Sequence, residues 1–220
     1  MSARRPTSAR APLTRERVLA AALNLIDERG LERFTMRALG ADLGVEAMSI
    51  YKHLPGKDAV LDGVVELLLR EFEETWQAGE RPDDWRAHLS EFAHTFRALA
   101  AAHPRAFPLL SRRSLRAYVV GRSLAERALT ILMVAGLPED EAIAVLRLVV
   151  RFTLGFALSA PGEASVDREF THELSESFPH VSALSVAVGD PQDEHRLFAR
   201  GVAVLLDGGA VRLAGGGVRG

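Results

Sequence analysis

A Glu-x-x-His pair and seven histidines are what this chain offers to metal or acid–base chemistry. The histidines are His53, His88, His94, His103, His172, His180 and His195, and there is no cysteine. Glu91 and His94 have the spacing with which one helix presents two ligands to a di-iron centre, but a bundle site needs two such copies. The sequence has no H-E-x-x-H, no phosphate-binding glycine loop and no G-x-S-x-G. Without cysteine there is neither a disulfide framework nor a thiolate metal site, which suits a reducing cytoplasm. These residues argue against an enzyme, and no metal or cofactor is expected.

A denser constellation lies between Thr35 and Lys57. Tyr51 and His53 can donate to phosphate oxygens, and Thr35 and Lys57 stand at helix N-termini, where backbone N–H groups also favour phosphate. Arg37 is placed to touch backbone or base. Ser49 and Lys52 face outward with Ala47 and Met48; the last two offer apolar contact, for example to a thymine methyl, and Lys52 can reach a guanine. Glu46 suits a helix N-terminus but is repelled by phosphate, so it either accepts from a cytosine amino group or points away. The plainer alternative makes Tyr51 a core-edge aromatic and His53 a solvated side chain.

Charge supports the phosphate reading. The net charge is only −2, yet residues 1–57 hold 10 Lys/Arg against 6 Asp/Glu, and the rest hold 17 against 23. A basic head on an acidic body is expected when one end meets nucleic acid. Hydrophobic residues make up 48% and charged residues 25%, the balance of a globular protein. The arginine-bearing stretch before Pro12 has no apolar region, so it is not a secretory signal. The apolar run Ala142–Ala160 is broken by Arg147 and Arg151, so no membrane span is expected.

The periodicity predicts an all-α chain. Thr14 caps a helix running to Arg29, with Val18, Ala22, Leu25 and Ile26 on one face and Gly30 as its stop. Thr35 caps a short helix carrying Leu39 and Leu43. Gly44 turns the chain into a second short helix, Val45–Leu54, with Val45, Ile50 and Leu54 inward. Pro55-Gly56 breaks it, and a long helix opens near Lys57. Two short helices around a glycine turn make a helix-turn-helix.

Beyond Gly79–Pro82 the pattern predicts a helix capped by Asp83 or Asp84 and ended by His103-Pro104. A short helix at Arg105–Arg112 and long ones at Ser114–Ala135 and Pro138–Ser159 follow. Pro161–Pro191 reads as a polar connection with marginal helices around Arg168–Glu176 and Ser182–Val188, and the last helix spans about Gln192–Leu206. The domains expected are a disordered arm at 1–12, a helix-turn-helix domain at 13–70, a larger helical domain at 71–207 and a disordered tail at 208–220.

The stretch LTRERVLAAALNLIDERGLERFTMRALGADLGVEAMSIYKHLPGKDAVL, Leu13 to Leu61, resembles the DNA-binding domain of the tetracycline-repressor (TetR) family. The carriers are the Thr35 helix start, the Leu39…Leu43-Gly44-Val45 turn, the Tyr51-x-His53 pair and Lys57. One departure is Glu46, where a small hydroxyl or amide residue often begins the recognition helix. The segment VVRFTLGFALSAPGE, Val149 to Glu163, is similar to a helix and its exit in the C-terminal domain of the same family.

The resemblance implies a DNA-binding regulator, a repressor rather than an activator by the family's habit, that releases its operator when a small molecule enters the C-terminal domain. It also implies a homodimer through the helices at 138–159 and 192–206. Candidate pocket residues are Phe92, Phe96, Leu99, Phe107, Leu110, Tyr118, Leu132, Phe152 and Phe156, each of which could instead be plain core. Glu73, Phe92 and Leu110 fall where tetracycline- and metal-binding side chains would stand, which suggests a more apolar effector without magnesium. The alternative is a protein-interaction module that kept the scaffold and lost DNA binding.

Overall fold

Thr14 caps the first helix as the sequence predicts, its hydroxyl accepting from the Arg17 N–H at 3.2 Å. The computed structural model describes residues 12–76, 84–159, 178 and 191–216. The expected arm at 1–11, the marginal helices at 168–176 and 182–188 and the end of the tail lie outside them. The described residues form nine α-helices and no strand. In chain order these are α1 (Arg15–Arg29), α2 (Met36–Leu43), α3 (Ala47–Tyr51), α4 (Lys57–Thr75), α5 (Trp85–Ala102), α6 (Pro108–Arg112), α7 (Val119–Val134), α8 (Glu139–Leu158) and α9 (Pro191–Gly216).

Four helix boundaries move. The helices expected from Arg105 and Ser114 start at Pro108 and Val119, the latter after a tight turn at Leu115–Ala117. Two others move for visible reasons. The helix expected over Val45–Leu54 is only Ala47–Tyr51; the next residues tighten into a turn in which His53 and Leu54 both donate to the Ile50 carbonyl, as Pro55 requires. The tail expected to lose order from Gly208 continues helical to Gly216. Gly209 packs beside Trp85 and Val145, so close contact offsets poor helix propensity there.

The chain divides into two compact units. Of the described residues, the first unit holds those up to Leu68 together with His103–Leu109, and the second holds those of Leu69–Ala102 and from Leu110 on. In the first unit α1 packs on α2 and α2 on α3. The core of α1 is Val18, Leu19, Ala22, Leu25 and Ile26, three and four residues apart as one buried stripe demands. The mid-chain piece His103–Leu109 was not expected in this unit. Asp27 of α1 holds it: His103 Nδ1 lies 2.6 Å from one carboxylate oxygen, and the Ala106 N–H donates to the other at 3.1 Å. Arg105 caps the end of α1 by donating to the carbonyls of Asp27 and Glu28.

In the second unit α8 packs against α5, α7 and α9, and α5 also packs on α7 and α9. Pro138 precedes α8, and Glu139, Asp140 and Glu141 fill its first turn, where negative charge complements the helix dipole. One aromatic cluster joins Phe72, Trp76, Phe92 and Phe96, with Phe72 and Phe92 edge-on at 4.9 Å. The Arg127 guanidinium covers Trp76 at 4.2 Å and donates to the Trp76 carbonyl at 2.7 Å. A second cluster joins Phe152 and Phe156 of α8 to Phe198 of α9, with His94 edge-on to Phe198.

Burial holds His94 below the ordinary imidazole range, and the neighbouring His195 and Arg97 push it the same way.

Two consequences are measurable. Asp27→Ala removes both partners of the His103–Ala106 turn, and chemical denaturation should show a loss of about 1–3 kcal/mol; an unchanged midpoint would mean the clasp contributes nothing. For His94 the unfolded chain binds the extra proton more readily. Stability is therefore complete above the ordinary value of 6.5 and is lost as pH falls below it toward the depressed value. The thermal midpoint should drop between about pH 7.5 and about pH 5.5, and His94→Asn should make that drop shallower. A drop of the same size in the variant would assign the pH dependence to other groups.

Candidate nucleic-acid interface and ligand cavity

The outward residues of α3 depend on the turn that precedes it. Gly44 adopts the left-handed conformation at φ 65 and ψ 36 and closes α2, a geometry that penalises a Cβ. Val45 N–H returns to the Gly40 carbonyl at 2.8 Å. A Cβ on Gly40 would stand 2.9 Å from the Val45 carbonyl oxygen and 3.2 Å from the Ala47 nitrogen. Backbone approaches backbone here, and a side chain would push α3 away. Behind α3, Ile50 and Leu54 are buried. Val45, expected to share that role, is only half-buried, because it sits in the turn.

The other face of α3 is open. Met48 is 70% exposed and Tyr51 43%. Glu46, Lys52 and His53 are exposed, whereas Ala47 and Ser49 are half-buried. Glu46 occupies the N-cap of α3, but its side chain makes no capping bond. Thr35 caps α2, its hydroxyl oxygen accepting from the Ala38 N–H at 3.0 Å; the hydroxyl proton is not used by that bond. Arg37 is exposed in the first turn of α2.

Lys57 departs from the simple expectation. Its ammonium donates to the Phe34 carbonyl at 2.8 Å and lies 5.6 Å from the centre of the Phe34 ring. It ties the start of α4 to the link before α2, leaving its other protons for an anion. Nothing in the residue types announced this brace. Gly40 did carry a signal, since a glycine inside a helix usually has a packing reason.

A cavity of about 670 Å³ lies within the second unit. Of the nine residues expected around it, Phe92, Phe96 and Leu110 line it. Leu99 and Leu132 are buried outside its lining. Phe107 belongs to the first unit, and Tyr118 stands half-buried at the N-cap of α7. Phe152 and Phe156 face Phe198 instead. Sequence reasoning missed Leu69 and Phe72 from α4, Leu124 from α7 and the α8 face that includes Leu146, Val150 and Leu154.

It also missed the polar lining: Ser111, Ser114, Arg113, Arg147 and Arg151, with no acidic residue among the lining side chains. The signal was present, because Arg147 and Arg151 interrupt an apolar helix four residues apart.

Among the described residues no three His, Asp or Glu side chains are grouped to hold a metal ion. The expectation against a di-iron site rests on a single Glu-x-x-His pair. The sequence holds a second, Glu169 and His172, outside the described residues, so a missing copy is no argument against such a site. No helix among the described residues is long and apolar enough to cross a membrane.

Comparison with known proteins agrees with this geometry. Residues 18–64 match the family described as bacterial regulatory proteins, tetR family, and residues 78–213 match the tetracyclin repressor-like C-terminal domain. The chain is 29% identical to the HTH-type transcriptional repressor DrrR1 of Streptomyces coeruleorubidus, over 96% of this chain and 83% of that protein. It is 30% identical to the class A tetracycline repressor protein from transposon 1721 of Escherichia coli, over 89% of each. Among solved structures, the TetR family protein ActR of Streptomyces coelicolor, in complex with actinorhodin, superposes with a TM-score of 0.75 at 25% identity, covering 91% of this chain and 98% of that one. TetR from Acinetobacter baumannii AYE superposes with a TM-score of 0.68 at 25% identity, covering 90% and 96%. An open helix-turn-helix face, a helical second unit with a cavity and family matches across both parts together show that this chain belongs to the TetR family of bacterial transcriptional regulators.

Proposed function

We propose that this protein is a transcriptional repressor that holds operator DNA through α3 and the N-termini of α2 and α4, and releases it when a small organic effector occupies the second-unit cavity. The observation that carries the reading is the exposed strip Met48, Tyr51, Lys52 and His53 over a buried Ile50 and Leu54. A recognition helix needs such a division: one side docked, the other free to reach a major groove. In this reading Tyr51, His53, Thr35 and Lys57 meet phosphates, Arg37 meets backbone or base, and Ala47, Met48, Ser49 and Lys52 face base edges, with Glu46 at the edge of the contact.

Names of similar proteins support the two halves of the reading. DrrR1 is named a transcriptional repressor, and ActR was solved with actinorhodin. Release is simplest where the cavity and the DNA-contacting residues share a structural element. Helix α4 is one: it starts at Lys57, and its Leu69 and Phe72 line the cavity. A ligand that displaces those side chains acts on the helix whose first residue braces the Phe34 carbonyl.

A homodimer follows from the apolar side chains left uncovered. Leu148 and Leu158 on α8, and Leu197 and Val204 on α9, are all more than 40% exposed. A second copy covering them would make a four-helix interface and place two recognition helices on two half-sites. The protein acts without catalysis and in the cytoplasm, where its DNA is. The interaction-module alternative is not favoured, since the DNA-facing side chains are present and outward.

Binding of the purified protein to the DNA flanking its own gene tests the reading by gel shift against a scrambled control. Selective binding that weakens steeply with salt is expected, because phosphate contacts release counterions; equal binding to both DNAs would overturn it. Tyr51→Ala and Lys57→Ala should each weaken operator binding by about 1–3 kcal/mol. Wild-type affinity in both variants would remove the contact assignment. Lys57→Ala also loses the Phe34 brace, so its unfolding midpoint should be measured alongside, whereas Tyr51→Ala should leave stability unchanged.

A further inference from the structure

We infer that the cavity is built for an organic anion: an apolar body seated among Phe72, Phe92, Phe96 and Leu124, carrying a carboxylate, sulfonate or phosphate that Arg147 and Arg151 receive. The inference rests on the effector reading above and names the chemical class that site selects.

Apart from the two arginines and Thr153, helix α8 carries no polar side chain from Ala142 to Leu158. Ile143, Arg147, Val150, Arg151 and Leu154 all line the cavity. Their spacing of four, seven, eight and eleven residues puts them on one face, so both arginines belong to the wall. Two cations four residues apart repel each other, and the rest of the lining answers them with no carboxylate. Among the described residues neither arginine is recorded in an ion pair.

Both arginines are exposed in the single chain and border the strip, including Leu158, that a second copy would cover. This suits stems laid along the apolar wall with guanidinium heads at its wet edge. Guanidinium groups take carboxylate and phosphate oxygens in a bidentate fork. A neutral apolar ligand would gain nothing from that pair, while an anion would relieve their mutual repulsion on binding. Arg113, Ser111 and Ser114 lie in the same lining. At about 670 Å³ the cavity takes a fused-ring or long-chain body within the usual size of small-molecule sites.

Two dyes with the same skeleton test this on the full chain. 1-Anilinonaphthalene-8-sulfonate is an anion; N-phenyl-1-naphthylamine is its neutral counterpart, and both brighten in apolar surroundings. Fluorescence titration should show the sulfonate binding at least about tenfold more tightly than the amine. The double variant Arg147→Gln/Arg151→Gln should weaken the sulfonate by about tenfold and leave the amine within about twofold. Ala125→Trp, which places an indole in the cavity lining, should abolish binding of both dyes, with circular dichroism confirming the fold.

Equal affinity of the two dyes, no binding of either, an unchanged sulfonate affinity in the arginine variant, or sulfonate binding that survives Ala125→Trp would each overturn the inference. Gel shifts of the same proteins without dye separate it from the repressor reading. Selective DNA binding with no anion preference sinks only the anion assignment, whereas failure of the wild type to bind DNA selectively sinks the repressor reading itself.

Discussion

A helix of five residues cannot hold itself together in water, since most of its backbone groups lack an intrahelical partner. Helix α3 is that short, and the DNA-facing side chains depend on it. It persists because Ile50 and Leu54 bury their side chains behind it and because Gly40 and Gly44 let two helices meet at backbone distance. The same tight turn decides which residues look outward. Met48, Tyr51, Lys52 and His53 are presented as a set because nothing on that side can rotate inward without expelling Ile50.

The second unit answers a different demand. Helix α8 has neighbours in α5, α7 and α9, and its faces carry separate duties. One buries Val145, Val149 and the Thr153 hydroxyl, which donates to the Val149 carbonyl at 2.8 Å. Another walls the cavity with Arg147 and Arg151. That arginine face also carries the exposed Leu158, and Leu148 lies exposed beside it. A helix hydrophobic on most of its circumference is normally buried all round; here a cavity and an apolar open face account for the excess.

The clasp at Asp27 ties sequence-distant residues into the first unit. His103 and Ala106 both meet its carboxylate, and Arg105 satisfies carbonyls that the end of α1 would leave open. Those orphan groups exist at every helix C-terminus and need a partner. In α1 the partner comes from more than seventy residues further on, so the head is not one continuous stretch of chain.

Much of this protein was determined locally and could be read from the residues in order. Thr14 and Thr35 cap helices because a short hydroxyl side chain reaches its own backbone; Gly30 and Gly44 end helices because they alone adopt their angles cheaply; apolar residues three and four apart mark buried stripes. Those rules located the helices and exposed the Tyr51-Lys52-His53 strip.

Tertiary structure decided the rest. Phe92 and Phe152 are the same residue type on apolar helix faces, yet one lines the cavity and the other stacks on Phe198. Only the packing of α8 against α5 and α9 separates them. Lys57 reads as a phosphate ligand alone, and only the Phe34 carbonyl beside it gives its ammonium a second, bracing role. Periodicity records that a side chain leaves water, because burial depends on helix face. It does not record which neighbour it meets or whether that neighbour leaves a void, because those depend on how helices distant in sequence come together.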